Sequence, residues 1–462
     1  MTIFSYPAQS LSELPAYDVV VCGGGPAGCA AALSARRAGR SVLLLEQTGQ
    51  LGGVATTGGV CFYLGYRTST AKWVGGIFEE IVQELLDSGG AIDPLTLSFS
   101  TKYQPFGWFR GLDNGIPFEP SAGVMLFDRK MRDAGVHVLF YTAFVDAIID
   151  NGHLTHMILH NKSGLQAVST RAVIDATGDA DVAARSGCPV CIGREEDGLM
   201  TPASVTFCMD RVDRETLSEH IHTTDEPRFR KLIASLRAQG KWPFSYDIFI
   251  AIQLFDADVF LINTTRLCGV DGTDGASISQ GTMDGREEVR QLVDLMRDYF
   301  PGFAQSRLRW VSPGIGIRET RRIIGTFRLT VDDLVQAIDF PDTIGFSVYS
   351  WDLPDPKRPS YQPMHEAQPQ MPRPQTAIPY RIMLPQTVSN LICPGRAVSV
   401  ERDVLGPLRV MAPCFAMGEA AGLAADEMLA DGCAFAEVNI QHLRARLRAQ
   451  GAIVDAEQVV NG

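Results

Sequence analysis

The run Gly23-x-Gly25-x-x-Gly28, set between the apolar stretch 17–22 and an alanine-rich stretch ending at Gly39, constrains this chain more than any other feature. It reads as strand, tight turn and helix. A second apolar run at 41–45 closes in Glu46, so the first 46 residues complete one β-α-β unit. The three glycines act differently. Gly23 permits the turn, Gly25 lets the backbone approach a pyrophosphate, and Gly28 lets the helix lie against the sheet. The helix start, from Ala27 onward, offers unpaired N–H groups and a positive dipole end to phosphates. Glu46, 18 residues after Gly28, stands where it can accept hydrogen bonds from ribose hydroxyls. The unit predicts a dinucleotide site without separating NAD from FAD.

The length of 462 residues suits two or three domains. Lys and Arg number 41 against 53 Asp and Glu, and a balance of −12 repels a phosphate backbone, so nucleic acid is not an expected partner. The ten cysteines lack the dense spacing of a secreted disulfide framework, which points to reduced thiols. The first 17 residues have no basic start and no apolar run of signal-peptide length, and no later stretch reaches about 18 uncharged apolar residues. A cytoplasmic protein without a membrane span is expected.

Beyond the first unit, 76–87 reads as an amphipathic helix and 94–117, rich in aromatics and turn residues, as an irregular excursion. Strand patterns return at 136–149 and 172–176. Further strands are expected at 249–255 and 258–265, a helix at 287–299, a proline-rich irregular loop at 351–379 and a strand at 391–393. A helix of small residues then begins near Pro413.

Several segments now combine in order: Glu46-Gln47 with Leu51-Gly52-Gly53-Val54-Ala55-Thr56; Ile174-Asp175-Ala176-Thr177-Gly178-Asp179-Ala180-Asp181; Gly314-Ile315-Gly316-Ile317-Arg318-Glu319-Thr320-Arg321-Arg322; and Gly395-Arg396 through Arg409-Val410-Met411 to Gly418-Glu419-Ala420-Ala421-Gly422. In these, and in Asn263-Thr264-Thr265-Arg266 and Gly272-Thr273-Asp274, the chain resembles the FAD-dependent oxidoreductase family with a glutathione-reductase-like flavin domain. The resemblance covers most of the chain. It implies an α/β fold: a Rossmann-like, glutathione-reductase-like FAD-binding domain with an inserted α+β substrate domain. Residues 1–60, 118–193 and 387–430 would be the three parts of the FAD domain, 61–117 a loop and helix excursion, 194–386 the substrate domain and 431–462 a helical tail.

The same resemblance implies a residue-by-residue site. The FAD pyrophosphate would lie on Gly23, Gly25, Pro26, Ala27 and Gly28, the adenosine ribose on Glu46 beside Gln47, and the ribityl–flavin side near Gly52, Gly53 and Thr56. The adenine would lie beside Phe144 in the 142–144 strand and beside Ala176, Thr177 and Gly178. Gly395, Arg396, Arg409, Val410 and Met411 would approach the pyrophosphate, ribityl and pyrimidine end. A helix dipole aimed ahead of Met411 would stabilise negative charge on reduced flavin.

Hydride transfer needs an acid or base beside the substrate and often a cation. The resemblance places 399–403 near the isoalloxazine ring, which makes Arg402 and Glu401 candidates for catalysis; a salt-bridged pair supporting the FAD loop is the alternative. Arg409 is open to either role. Arg318, Glu319, Arg321 and Arg322 predict an internal salt-bridge network, with Arg318 the best candidate for substrate or flavin contact. Cys188-Pro189-Val190-Cys191 admits a redox disulfide, but one pair cannot complete a four-cysteine zinc site without distant partners, and no metal is expected. A second nucleotide fingerprint is missing: 269–275 has glycines at the wrong spacing with no helix expected after it, and Gly314-Ile315-Gly316 lacks a third. The electron acceptor is then a quinone, oxygen, a redox protein or a transient nicotinamide. The expected activity is hydride exchange between flavin N5 and a small organic substrate. An electron-transfer subunit or a non-redox flavin-dependent hydratase or isomerase is the alternative, and a homo-oligomer stays open.

Overall fold

Strand β1 (Tyr17–Cys22) has its last four residues buried, and its alternation sorts them onto two cores. Val19 and Val21 join one cluster and Val20 and Cys22 another. The computed structural model describes residues 10–97, 102–108, 114–367, 369 and 371–459. After β1 come helix α1 (Pro26–Arg37), strand β2 (Val42–Leu45), and helices α2 (Ile77–Asp87) and α3 (Pro120–Ala134). Strands β3 (His137–Leu139), β4 (Ala143–Asp150), β5 (His153–Asn161) and β6 (Gly164–Asp175) follow.

Among the described residues the main sheet has eight strands, with the path β3-β2-β1-β6-β5-β4. Its pivot is β6. Residues Thr170 to Asp175 pair in parallel with β1, placing Val173 opposite Val20, while the earlier residues pair antiparallel with β5, placing Val168 opposite Met157. The short strand Leu391–Ile392 adds in parallel to the same half of β6. This is a Rossmann-like α/β sheet with an antiparallel meander attached. The single strand pattern expected over 136–149 is divided by a turn in which Tyr141 has φ +51°, so the chain leaves β3 and enters the meander.

A second unit is built on β7 (Phe207–Asp210), β8 (Ala251–Gln253), β9 (Phe260–Ile262) and β10 (Arg307–Val311), in the order β8-β9-β7-β10 and antiparallel throughout. Helix α4 (Gly275–Tyr299) covers it through Val289, Leu292, Val293 and Met296. The observed strands are shorter than 249–255 and 258–265, and the helix is longer than expected. Asp274 caps it by accepting from Ser277 N (2.7 Å), so a helix does follow the 269–275 glycines. Its small residues lower helix propensity but permit contact: a Cβ on Gly285 would lie 2.4 Å from a Val205 methyl. The expected loop at 351–379 includes the short helix Pro363–Ala367 and the strand Thr376–Pro379, paired with Thr343–Ser347.

Helix α5 (Met411–Asp431), which starts two residues earlier than expected, returns to the first unit and is buried for most of its length. It meets α1 backbone to backbone. A Cβ on Gly418 would stand 2.0 Å from the Ala27 carbonyl oxygen, and one on Gly422 would stand 2.4 Å from that of Ala31. Ser34 Oγ donates to the Glu419 carbonyl at 2.7 Å. The Glu419 carboxylate caps α2 by accepting from Ile77 N (2.9 Å), and its other oxygen is buried without a partner.

Burial pushes the Glu419 carboxyl up to about 8. The folded state therefore favours the protonated form, and this group's contribution is fully present below about pH 4.5 and lost as pH rises through about 8. Glu419→Gln keeps an oxygen to cap α2 and removes the titration. The variant should flatten the fall in Tm between pH 5 and 9 by a few degrees relative to the parent; parallel melting curves across that range would contradict this.

Candidate functional site

The carboxyl ends of β1, β2 and β6 open onto one cavity of about 1040 Å³, at the upper end of small-molecule sites. Its first wall is the glycine turn. Gly23 has φ +96°, and a Cβ there would come within 2.4 Å of the Ala176 carbonyl oxygen; a Cβ on Gly28 would lie 1.7 Å from that of Gly23. Gly25 differs. Its backbone is extended, and a Cβ would find its nearest neighbour 4.0 Å away. The missing side chain at Gly25 thus leaves open space in the cavity wall, directly before the free N–H groups of α1.

Glu46, at the end of β2, lines the same space and accepts from Gly24 N (2.8 Å) and Thr48 N (2.7 Å). Pro26, Ala27, Gln47, Gly53, Phe144, Ala176, Thr177 and Gly178 line it as well. Asp175 sets the 177–178 turn, accepting from Thr177 Oγ1 (2.7 Å) and Ala183 N (2.9 Å), and burial pushes its carboxyl up to about 6. Opposite stand Gly395, Arg396, Arg409, Val410 and Met411, with Val410 at the N-terminus of α5. Arg396 is neutralised by Asp179 (2.6 Å) and donates to Thr320 Oγ1 (2.9 Å). Gly28, Gly52 and Thr56 stand behind the lining: Gly52 N donates to Gly24 O at 2.8 Å, which joins the two glycine loops.

The far end of the cavity belongs to the second unit. The two units are tied beside it by Thr206 Oγ1 donating to Gly58 O (3.0 Å) and Gly314 N donating to Thr57 O (2.9 Å). Arg228, Arg266, Arg318, Arg409, Tyr349 and Asp352 line this end. Arg318 donates to Pro202 O (2.7 Å), Ser204 Oγ (2.8 Å) and Asn263 Oδ1 (3.3 Å). Arg266 donates through Nη1 to Asn263 O (3.1 Å), Thr265 O (2.8 Å) and the same Ser204 Oγ (3.4 Å). Asp352 accepts from Arg409 (3.0 Å), Tyr349 Oη (3.1 Å) and Gln362 Nε2 (2.7 Å).

Burial, then Arg266 and Arg409, push the Arg318 guanidinium well below its ordinary pKa, and burial followed by Arg266 and Arg230 pushes Arg228 down to about 10. A guanidinium keeps its proton in such places, so these shifts express the cost of crowding like charges in a dry site. Burial pushes the Asp352 carboxyl up, but Arg409, Arg318 and Arg266 overcome that and hold it below the usual carboxylate range. Tyr349 is pushed well up by burial and then by Asp352, and stays protonated.

Arg402 and Glu401 lie outside the lining of this cavity. Arg402 grips the buried Glu319 carboxylate with two hydrogen bonds (2.9 and 2.8 Å), and Glu319 also holds Arg322 (2.9 Å). Glu401 accepts from Val331 N (2.8 Å) at the start of a short helix. Both side chains are thus committed to the scaffold, the arrangement of the salt-bridged alternative. Of the network expected of Arg318, Glu319, Arg321 and Arg322, Glu319 and Arg322 pair with each other, Arg321 pairs with Asp181 (2.8 Å), and Arg318 stands apart and faces the cavity. All ten cysteines are unpaired. Cys188 accepts from Thr387 Oγ1 (3.3 Å), and neither it, Cys191 nor Cys61 lines the cavity. Sequence reasoning missed Arg228, Tyr349 and Asp352 as site residues. Arg266 lay in a motif shared with the family, but no local pattern gave it a role.

The family model for FAD dependent oxidoreductases matches residues 18–447. The chain belongs to that family. Its cofactor is FAD, and it is an enzyme. The open wall at Gly25, the free helix N-termini of α1 and α5, and the Glu46 carboxylate fit the diphosphate, the flavin and the ribose of that cofactor. This FAD-dependent oxidoreductase is 29% identical over 206 residues to the thiamine thiazole synthase of Methanococcus aeolicus, covering 42% of this chain and 65% of that protein. It thus spans a little under two thirds of that relative's length. Similar solved structures include a geranylgeranyl bacteriochlorophyll reductase-like protein from Thermoplasma acidophilum (13% identity, TM-score 0.46, 94% of this chain and 84% of that one). Another is p-nitrophenol 4-monooxygenase from Pseudomonas putida (12% identity, TM-score 0.46, 96% and 91%). No helix among the described residues is long and apolar enough to cross a membrane.

The two inner glycines make opposite predictions. Gly25→Ala should leave the melting temperature of the apoprotein nearly unchanged and lower FAD affinity about tenfold or more, about 1.4 kcal/mol, by filling the cavity wall. Gly28→Ala should destabilise the fold by about 3 kcal/mol or more, because its methyl overlaps backbone that cannot move aside. Thermal melts and flavin retention on gel filtration separate the two, and equal effects on both would be the contrary result.

Proposed function

We propose that this enzyme exchanges a hydride between flavin N5 and a small organic substrate held at the arginine end of the cavity. The observation that carries the reading is continuity: one cavity runs from the glycine turn, past the start of α5, to Arg318, Arg266 and Arg409. When bound, FAD supplies the redox chemistry. The chain supplies the rest, in a glutathione-reductase-like arrangement.

Gly23, Gly25, Pro26 and Ala27 take the diphosphate, with Gly28 fixing the turn; Glu46 and Gln47 take the adenosine ribose. Phe144, Ala176, Thr177 and Gly178 flank the adenine. Gly53, Gly395, Arg396, Val410 and Met411 take the flavin end, shaped from behind by Gly52 and Thr56. The amides that open α5 direct a positive dipole end at the pyrimidine edge, where negative charge develops on reduction. Arg409 stands just before those amides, with its Nε buried and without an acceptor.

Arg318 is the substrate-facing cation of this proposal. Tyr349 keeps its proton and donates a hydrogen bond to Asp352 within the same lining. Arg402 and Glu401 act as positioning residues: Arg402 pairs with Glu319, and Glu401 anchors the start of the Val331–Val335 helix to the segment that follows Gly395 and Arg396.

Anaerobic addition of candidate organic substrates should bleach the oxidised flavin band. Arg318→Met should retain bound flavin and slow bleaching about 10²–10³-fold, the usual loss on removing one preorganised charge-stabilising donor. Arg402→Met should instead lower stability by about 1.5–3 kcal/mol, the worth of a hydrogen bond to a charged group, with bleaching in the folded fraction little changed. Bleaching only by a reduced partner protein, and by no small molecule, would defeat the proposal.

A further inference from the structure

Charges around the cavity divide into two sets. Arg67 and Arg396 line it but are each neutralised, by Asp93 and by Asp179. At the arginine end the balance fails. Arg266 and Arg318 share the Ser204 hydroxyl and the two oxygens of Asn263, so two guanidiniums are held side by side on neutral acceptors. Among the described residues neither has a carboxylate within ion-pair distance. Of the carboxylates near this end, Asp352 is engaged by Arg409, Tyr349 and Gln362, and Glu288, behind the lining, accepts from Tyr246 Oη (3.0 Å).

Donor capacity is left over as well. Arg266 is 7% exposed; all its hydrogen bonds to protein use Nη1, and its Nε is buried without an acceptor. Arg409 donates only through Nη2, and its Nε is likewise buried and unmatched. Burying like charges without a counter-charge is strongly unfavourable, and a fold keeps such a cluster where an anion from outside completes it. The walls between the cations are apolar: Ile248, Ile250, Ile315, Ile317 and Val348. A ligand that satisfies both features has an anionic group and a hydrocarbon body. The planar fork of a guanidinium matches a carboxylate with two parallel hydrogen bonds.

We infer that Arg266, Arg318 and Arg409 form a carboxylate-binding subsite and that the substrate is a small organic acid with an apolar body. This rests on the reading of the arginine end as the substrate end of a hydride-exchanging cavity. The phosphates of FAD are accounted for at the opposite end, on the glycine turn. Asp352 and Tyr349 close the subsite on one side, so a cationic ligand of the same shape meets three guanidiniums against one carboxylate and is excluded.

The test uses the flavin-loaded enzyme and four probes: benzoate, succinate, benzamide as the neutral counterpart of benzoate, and inorganic phosphate. Benzoate or succinate should shift the flavin absorbance band saturably and raise the melting temperature, with benzamide at least about tenfold weaker. Arg266→Met and Arg318→Met should keep the flavin and weaken the carboxylate about tenfold to a hundredfold, with part of the loss recovered by Arg→Lys. Equal binding of benzoate and benzamide to the unmodified enzyme, binding of phosphate alone, or unchanged carboxylate affinity in both variants would overturn the subsite. A neutral compound that bleaches the flavin while no carboxylate binds would leave hydride exchange standing and remove the carboxylate subsite. Saturable carboxylate binding in an enzyme whose flavin no organic compound bleaches would do the reverse.

Discussion

The contact between α1 and α5 sets the geometry on which everything else in the molecule depends. Two helices can approach until one backbone touches the other only where no Cβ intervenes, and Gly418 and Gly422 meet the Ala27 and Ala31 carbonyls on those terms. The consequence is directional. Each helix begins at the cavity, α1 after Gly25 and α5 after Val410, so the same contact brings two positive dipole ends to bear on one volume. A side chain at either glycine would push α5 outward and carry Val410 and Met411 away from the glycine turn.

Around that frame the interior sorts its charges by purpose. Glu319, fully buried, pairs with both Arg322 and Arg402 and so locks the strand after Arg318 to the segment after Arg396. That cluster belongs to the scaffold, with only the Arg322 Nε left buried without an acceptor. The neighbouring residue, Arg318, turns the other way onto Ser204 and Asn263 and keeps its charge uncompensated. One short segment thus carries a closed ion pair and an open one, and the open one faces the cavity. Such a site gives up stability in exchange for an anion-ready surface, the pattern expected where local rules are broken for function.

What the sequence made legible was local in character. Gly23, Gly25, Gly28 and Glu46 announce themselves because strand, turn, helix and acid follow at fixed spacing within one supersecondary unit. Arg402 and Glu401 are harder to read for the opposite reason. Their nearness in sequence to Gly395 suggested nearness to the ring, but the direction of a side chain is set by its partner, and Glu319 lies 83 residues away from Arg402. Arg228, Arg266 and the pair Tyr349 and Asp352 come from three separate loops, and no periodicity links them. The start of α4 could have been read from Asp274, a good N-cap; the glycines at 275, 281 and 285 argue against a helix on propensity alone, and the contacts of Gly281 with Val270 and of Gly285 with Val205 explain why they are there.

The closure of α5 on α1 also has a temporal meaning. Ser34 and Glu419 are 385 residues apart, so the small-residue face of α1 has nothing to lie against until the ribosome has passed α5. The amino-terminal β-α-β unit can form early, but it waits with an apolar face uncovered through the synthesis of the entire second unit. The wall of the cavity that Val410 and Met411 form is therefore completed only after α5 has been made.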